Sequence, residues 1–411
     1  MDLLLRKAFA EIIKRGQLKV TTARGEVMEF GDGTGPKCAV RFTDTAAQLL
    51  FLADPDPQLG NLFMDERFVV EEGSIYDFIY LTLRDSRHMK EPLYMRGIDK
   101  VRQAMIGIDT HNFVSRSKSN VAHHYDLDAR LYRMFLDADM QYSCAYFEHP
   151  QQSLEDAQLA KKRHIAAKLL VEPGNRILDI GCGWGGMALY LAGVAGAGHV
   201  KGITLSQEQL EIANERKSKS ASPGALDFVL EDYRNTTGTF DRIVSVGMFE
   251  HVGRRFYDTY FDCCHKLLDD QGVMLLHTIG WSDAPSYTCP WITKYIFPGG
   301  YIPSLSEIVP CAERAGLVVR DVEILHLHYA YTLNAWRTRF LARRDEALKL
   351  YDERFCRMWE FYLASAEAAF RCEGLVVFQL QLAKSPDAVP MTRDYIQVRE
   401  QELRKRESEG L

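Results

Sequence analysis

Long apolar runs are missing from this 411-residue chain. A transmembrane helix needs about 20 consecutive apolar residues. The longest weakly polar stretch, residues 185–198, is shorter and laden with glycine, so no membrane-spanning segment is expected. A secretory leader is not expected either, because Met1-Asp-Leu-Leu-Leu-Arg-Lys runs straight into charged helical pattern. Cysteine supplies no framework. The nine cysteines are odd in number and scattered, only Cys263 and Cys264 are adjacent, and no CxxC pair has histidines at zinc spacing. Reduced thiols in a cytoplasmic protein without a metal site are the expectation. An excess of positive charge is also lacking: the net charge is −6, which argues against nucleic acid as the main partner. It does not argue against an anionic membrane, where local charge decides. Internal repeats and low-complexity tracts are absent as well.

What is present is an ordinary globular composition, 46% hydrophobic and 26% charged, at a length that suggests two domains. Residues 1–15 place Leu4, Leu5, Ala8, Phe9, Ile12 and Ile13 on one helical face, fitting a core-docked helix or one lying on a membrane surface. Residues 17–30 and 37–43 alternate apolar and polar positions between glycine turns, as short antiparallel strands do. Residues 59–70 continue in mixed style, and 74–83 return to helical period. Residues 1–105 thus form a small α+β domain, with a linker over 106–119 and a larger domain over 120–392. Residues 393–411 are a charged C-terminal tail, helical or frayed. Residues 84–102 carry six Lys/Arg against three Asp/Glu, which suits a solvated linker or a basic surface facing anionic headgroups.

From residue 120 the pattern becomes α/β. Helices are predicted near 126–138, 153–171, 186–195, 206–219, 254–268 and 304–315. Strands are predicted at 176–180, 200–203, 226–230, 240–246, 272–277, 317–325 and 375–383. Such alternation implies a parallel sheet with right-handed crossovers. Between the first of these strands and its helix stands Leu178-Asp-Ile-Gly181-Cys-Gly183-Trp-Gly185-Gly186, whose glycines admit a ligand close to the backbone. The ribose-binding acid of a dinucleotide site is missing from the next strand end, Gly202-Ile-Thr204-Leu205-Ser206. Asp179, just before the loop, suits an ammonium group. The loop therefore fits S-adenosylmethionine, and Glu231-Asp232-Tyr233 offers acceptors and a ring for adenine. Glu250 and His277 fall at or just beyond the ends of two consecutive strands, the edge where open α/β sheets bind ligands. Taken singly, Glu250-His251 also fits a helix-start cap, His277 a satisfied strand end, Cys144 an inert thiol and Tyr329 a core tyrosine.

Jointly these residues resemble a known family. His123-His-Tyr-Asp126, Met140-Gln-Tyr-Ser-Cys-Ala-Tyr146, the glycine loop, Ser245-Val-Gly-Met-Phe-Glu-His-Val-Gly253, Leu276-His-Thr-Ile-Gly280, Trp291-Ile-Thr-Lys-Tyr-Ile-Phe-Pro-Gly299 and His328-Tyr-Ala-Tyr-Thr-Leu-Asn-Ala-Trp336 are similar to the cyclopropane-fatty-acyl-phospholipid synthases and their mycolic acid relatives. The likeness covers roughly residues 120–385. Ala330 stands where some members carry an acid, and Phe147 where a tryptophan is common.

The resemblance implies a Rossmann-like S-adenosylmethionine-dependent methyltransferase fold. It implies methyl transfer to a cis double bond of a phospholipid acyl chain, with loss of a proton from the resulting carbocation to close a cyclopropane. A bound bicarbonate takes that proton, its ligands mapping onto Cys144, Glu250, His277, the Ile279 backbone and Tyr329. Cofactor contacts map onto Tyr142, Ser143, Gly181, Gly183, Thr204, Leu205, Gln209, Asp232 and Tyr233, beside Asp179. The implied partners are unsaturated phospholipids at the inner membrane face, visited from the cytoplasm, and a second copy in a homodimer. The N-terminal domain is left to dimerise, dock on lipid or cap the site. Two other functions fit the same residues: a fatty-acyl C-methyltransferase giving methylated alkenes or branched chains, and a lipid-binding protein without turnover.

Overall fold

A computed structural model describes residues 1–85, 102, 128–220 and 223–409. The linker at 106–119, the His123–Asp126 motif and most of the basic stretch at 84–102 lie outside the described residues. The chain forms two compact units that do not follow its order. Among described residues, the first takes 1–85, 102, 287–298 and 329–375, and the second takes the rest.

The first unit carries a four-stranded sheet: β1 (Gln17–Thr21), β2 (Val27–Phe30), β3 (Lys37–Phe42) and β4 (Phe68–Glu72), in the order β2-β1-β3-β4. Alternation buries Leu18, Val20, Met28 and Phe30 on one face, the period of a half-buried strand. The expectation of antiparallel strands holds for β1–β2, whereas β1 and β3 pair in parallel. The mixed stretch at 59–70 divides into the end of helix Pro55–Met64 and the start of β4. Helix Asp2–Ile12 buries Leu5 and Phe9 against this core, while Leu3 and Leu4 stay 77% and 62% exposed. Phe9, Phe42, Phe51, Phe68 and Phe78 interlock with ring centroids 4.7–6.4 Å apart.

Helix Glu353–Cys372 also belongs to this unit, packing on helices Ile75–Leu83 and Pro55–Met64. Phe361 meets Phe63 and, at 4.7 Å, Trp291. Gly60 lets the Trp291 indole approach so closely that a Cβ there would lie 2.4 Å from its Nε1. One continuous domain over 120–392 is therefore not what the structure shows. Of these helices only the one at 74–83 is expected from its period; helix Glu353–Cys372 was not predicted.

The second unit holds β5 (Arg176–Ile180), β6 (His199–Thr204), β7 (Leu226–Leu230), β8 (Phe240–Val246), β9 (Leu268–Trp281), β10 (Val318–Leu325) and β11 (Leu375–Ala383), in the order β10-β11-β9-β8-β5-β6-β7. The run from β9 to β7 is parallel, and β10 pairs antiparallel with β11. Helices Tyr257–Leu267 and Leu305–Arg314 bury one face of the sheet, and helices Leu154–Lys168 and Gly186–Gly193 the other. The chain steps from β5 to β6 and β7 on one side and then returns from β7 to β8 on the other, and the carboxyl edge at such a reversal is where this architecture binds ligands. Residues 393–411 are not a detached tail: helix Asp394–Ser408 buries Ile396 and Leu403 and packs on helix Leu154–Lys168. Its polar composition hid this role, because its acids meet buried cations. Among the described residues no helix is long and apolar enough to cross a membrane, and no two cysteines are joined in a disulfide.

Candidate active site

Asp179 lies on β5, level with Gly202 of β6 and Val244 of β8. It is 1% exposed, and its Oδ2 has no hydrogen-bond partner among the described residues. Burial pushes its carboxyl up to about 7, against the pull of Lys161. A buried acid in that state lacks a cation. The loop above it turns through Gly181, Gly183 and Gly185, all with left-handed φ of +54° to +83°. At Gly183 an added Cβ would enter open space, whereas at Gly181 it would meet Met248 at 2.8 Å. Glycine thus serves conformation at the first position and clearance at the second.

A cleft of about 720 Å³, counting space open to solvent, begins at this loop. Thr204, Leu205, Gln209, Asp232 and Tyr233 line it together with Gly181. Ser206 caps helix Gln207–Ser218 as its pattern predicts, accepting from Gln209 N–H, and the Thr204 hydroxyl donates to Gln209 Oε1 at 2.9 Å. Asp232 is held by Arg234 through bonds of 2.8 and 2.6 Å, so a guanidinium enters the cleft with the expected acceptor. Tyr233 presents its ring edge-on to Tyr260 at 5.4 Å. Met248 and His251 also line the cleft, and sequence reasoning did not place them there. Burial pulls His251 down to about 4, leaving it neutral at pH 7.

Tyr142, Ser143 and Cys144 sit on the segment before helix Leu154–Lys168, outside that lining. Three side chains of the helix fasten the segment. Gln158 donates to the Ser143 carbonyl at 2.9 Å, Lys161 to Gln141 Oε1 and Ser143 Oγ at 2.7 Å each, and Lys162 to Asp139 at 2.6 Å. The Tyr142 ring stands edge-on to Tyr132 at 5.2 Å. Cys144 is buried, its thiol donating to the Ala145 carbonyl. Lys161 is fully buried, which draws its ammonium down to about 8 although Asp137 and Asp139 oppose the shift. This lysine was missed. A cation in a helix of mixed polarity carries no sign that it is interior.

The next two parallel strands bring Glu250 and His277 to the same edge. Val246, the last residue of β8, lies level with His277 on β9, and Glu250 follows in the short 3₁₀ turn Phe249–His251. Glu250 Oε1 accepts from the Ile279 N–H at 2.7 Å, whereas its Oε2 is buried without a partner among the described residues. Burial raises this carboxyl to about 7, against the stabilising Ile279 N–H. His277 accepts at Nδ1 from Gln379 at 3.2 Å, and its buried Nε2 likewise has no described partner. Burial and nearby cations hold it well below the ordinary histidine value. The structure therefore joins Glu250 to Ile279 and sets His277 on the neighbouring strand. Tyr329 belongs to the other compact unit, in the first turn of helix His328–Ala342, with its ring against Phe370 and Trp336.

The sequence pattern of the mycolic acid cyclopropane synthetases matches residues 113–380. The chain belongs to the mycolic acid cyclopropane synthetase family. Within it, the chain is 44% identical over 263 residues to the cyclopropane-fatty-acyl-phospholipid synthase of Escherichia coli (strain K12), covering 64% of this chain and 66% of that protein. It is 38% identical over 289 residues to a probable fatty acid methyltransferase of Pseudomonas putida, covering 67% and 72%. Among solved structures, the cyclopropane synthase MmaA2 from Mycobacterium tuberculosis superposes with a TM-score of 0.61 at 33% identity, over 65% of this chain and 98% of that one. The mycolic acid cyclopropane synthase CmaA1 complexed with SAH and CTAB gives the same TM-score at 35% identity, over 64% and 97%. The family fold is that of S-adenosylmethionine-dependent methyltransferases, matching the α/β sheet described above. About a third of this chain lies outside these matches.

Proposed function

We propose that this chain is a cyclopropane synthase acting on cis-unsaturated acyl chains of phospholipids. One observation carries the reading. Three buried polar atoms at the carboxyl edge of β5, β8 and β9 (Asp179 Oδ2, Glu250 Oε2 and His277 Nε2) lack partners among the described residues. Asp179 fits the ammonium of S-adenosylmethionine, the glycine loop admits its methionyl end, and the cleft past Thr204 and Asp232 suits its adenosine. When bound, that cofactor supplies an electrophilic methyl group.

The chain's own contribution is arrangement. An alkene is a weak nucleophile, so holding it in line with the methyl group accounts for much of the catalysis. A cationic product is trapped by water, so the base must work in a dry site. Within the second unit, Glu250, His277, the Ile279 backbone and Cys144 are the residues we assign to a bicarbonate that accepts the final proton. His277 serves as a donor, and Glu250 as the acceptor of the bicarbonate hydroxyl. Incubation with S-adenosylmethionine and cis-unsaturated phospholipid vesicles is expected to give acyl chains heavier by one CH₂ that resist hydrogenation. Products that hydrogenate readily would reject ring closure. They would favour the fatty-acyl C-methyltransferase reading, which the likeness to the Pseudomonas putida protein supports.

We further propose that the first unit docks on the membrane face from which the substrate is drawn. Exposed Leu3 and Leu4 beside Arg6 and Lys7 support this, as does the basic composition of residues 84–102. Leu3→Gln with Leu4→Gln is expected to weaken sedimentation with anionic vesicles several-fold. Unchanged sedimentation would remove this helix from the docking surface.

A further inference from the structure

The partners of Gln379 determine which end of its amide faces which neighbour. Gln379 is fully buried in β11, directly opposite Glu323 of β10. On one side lies Lys168, the last residue of helix Leu154–Lys168, also fully buried, whose Nζ is 3.1 Å from the amide oxygen. That ammonium contacts Glu323 and lies 3.5 Å from Asp321. An ammonium has hydrogens and no lone pair, so the atom of Gln379 facing it is the oxygen. The amide NH₂ then faces the other way, 3.2 Å from His277 Nδ1. An NH₂ group only donates, so Nδ1 is the bare nitrogen.

His277 is neutral, because burial and the cations Lys161 and Lys168 keep it from taking a second proton. A neutral imidazole has one ring proton. It must sit on Nε2, the atom without a partner among the described residues.

We infer that Gln379 is a positioning residue which, oriented by Lys168, fixes His277 in the Nε2–H tautomer and so presents the ring to its ligand as a donor. The opposite tautomer would turn a lone pair toward that ligand, and against an anion it would repel. That the ligand is the bicarbonate of the proposed mechanism rests on that reading. The tautomer itself does not.

The test uses the full-length protein with ¹⁵N-labelled histidine, following the ring nitrogens of His277 through their two-bond couplings to ring protons at neutral pH. Wild type is expected to show the Nε2–H form. Gln379→Glu replaces the donor with an acceptor and is expected to move the proton to Nδ1. Lys168→Met frees the amide to turn over and is expected to give a mixture. Turnover in Gln379→Glu is expected to fall roughly 10- to 100-fold, with the affinity for S-adenosylmethionine unchanged within about twofold. If Gln379→Glu does not fold, Gln379→Met carries the test, and full retention of Nε2–H there would overturn the inference. An Nδ1–H wild type would overturn it as well, as would undiminished turnover in a folded Gln379→Glu protein. Failure of the proposed function appears differently, as a wild type that turns over no lipid while the tautomer still follows residue 379.

Discussion

Two buried polar clusters of the second unit lie on one sheet and behave in opposite ways. At the β10–β11 side, His164 is held between Glu400 and Glu323 at 2.7 Å each, and Lys168 adds a second cation to Glu323. Burial opposes ionisation of Glu323, yet His164 and Lys168 hold its carboxyl far below the ordinary range, and the two acids raise His164 in return. At the carboxyl edge of β5 and β8, Asp179 and Glu250 are more deeply enclosed than Glu323 and Glu400, yet each keeps one oxygen without a described partner and both are raised to about 7. The contrast separates two uses of buried charge. A carboxylate serving the fold is matched by cations of its own chain. Asp179 and Glu250, which we propose serve ligands, are left unmatched, a cost that a bound partner would relieve.

The sharpest way to break this comparison is Glu250→Gln. Turnover is expected to fall by about 10²–10⁴-fold, the range for removing an acid–base group, with S-adenosylmethionine binding by calorimetry nearly intact. Full activity in bicarbonate-depleted buffer would dissociate Glu250 from the chemistry.

Asp179→Asn tests the cofactor side and should move two properties in opposite directions. Affinity for S-adenosylmethionine is expected to drop about 30- to 100-fold, the worth of a charge-assisted bond. Stability of the ligand-free protein at pH 8 is expected to rise, and the sign follows from linkage. An acid whose folded value near 7 exceeds its unbound 3.8 contributes most below pH 4, and that contribution is lost as pH rises through 7. Removing its charge recovers about 2–4 kcal/mol at pH 8, read as a higher Tm. By the same logic, wild-type binding of S-adenosylmethionine should be about tenfold weaker at pH 6 than at pH 8, with a flatter profile in Asp179→Asn. A pH-independent affinity would show that the ammonium pairs elsewhere.

The smallest effect is expected in the saturated cluster. Glu400→Gln should cost about 1–3 kcal/mol in chemical denaturation, since it leaves a buried histidine half-paired, and should shift cofactor affinity less than twofold. A larger loss of cofactor affinity than of stability would erase the distinction between the clusters.

Much of the sheet was legible from local pattern. The runs at 226–230, 240–246 and 375–383 coincide with β7, β8 and β11, of which β11 is buried along its whole length whereas β7, at the sheet edge, exposes Asp227, Val229 and Leu230. Gln379 and Gln381 interrupt the last of these runs, a signal that was present and was not used. Helix Leu154–Lys168 was legible as a helix but not as an interior one. Lys161, Lys162, Arg163, His164 and Lys168 are all buried along it, with partners as distant in sequence as Asp139, Glu323, Glu400 and Glu407. No local window contains both halves of such a pair. Glu250 and His277 stood out by position at strand ends, whereas the placement of Tyr329 in the other unit depended on tertiary packing that spacing does not encode.

Helix Asp394–Ser408 imposes an order on how this protein can be made. Arg163 is bonded to Glu407, 244 residues later, and Tyr190 donates to the same carboxylate at 2.6 Å. During synthesis Arg163, His164 and Lys168 leave the ribosome long before Glu323, Glu400 and Glu407 exist. The first unit waits as well, because its helix Glu353–Cys372 emerges after most of the second has been translated. Each unit's core therefore stays incomplete until helices encoded late in the chain have been made.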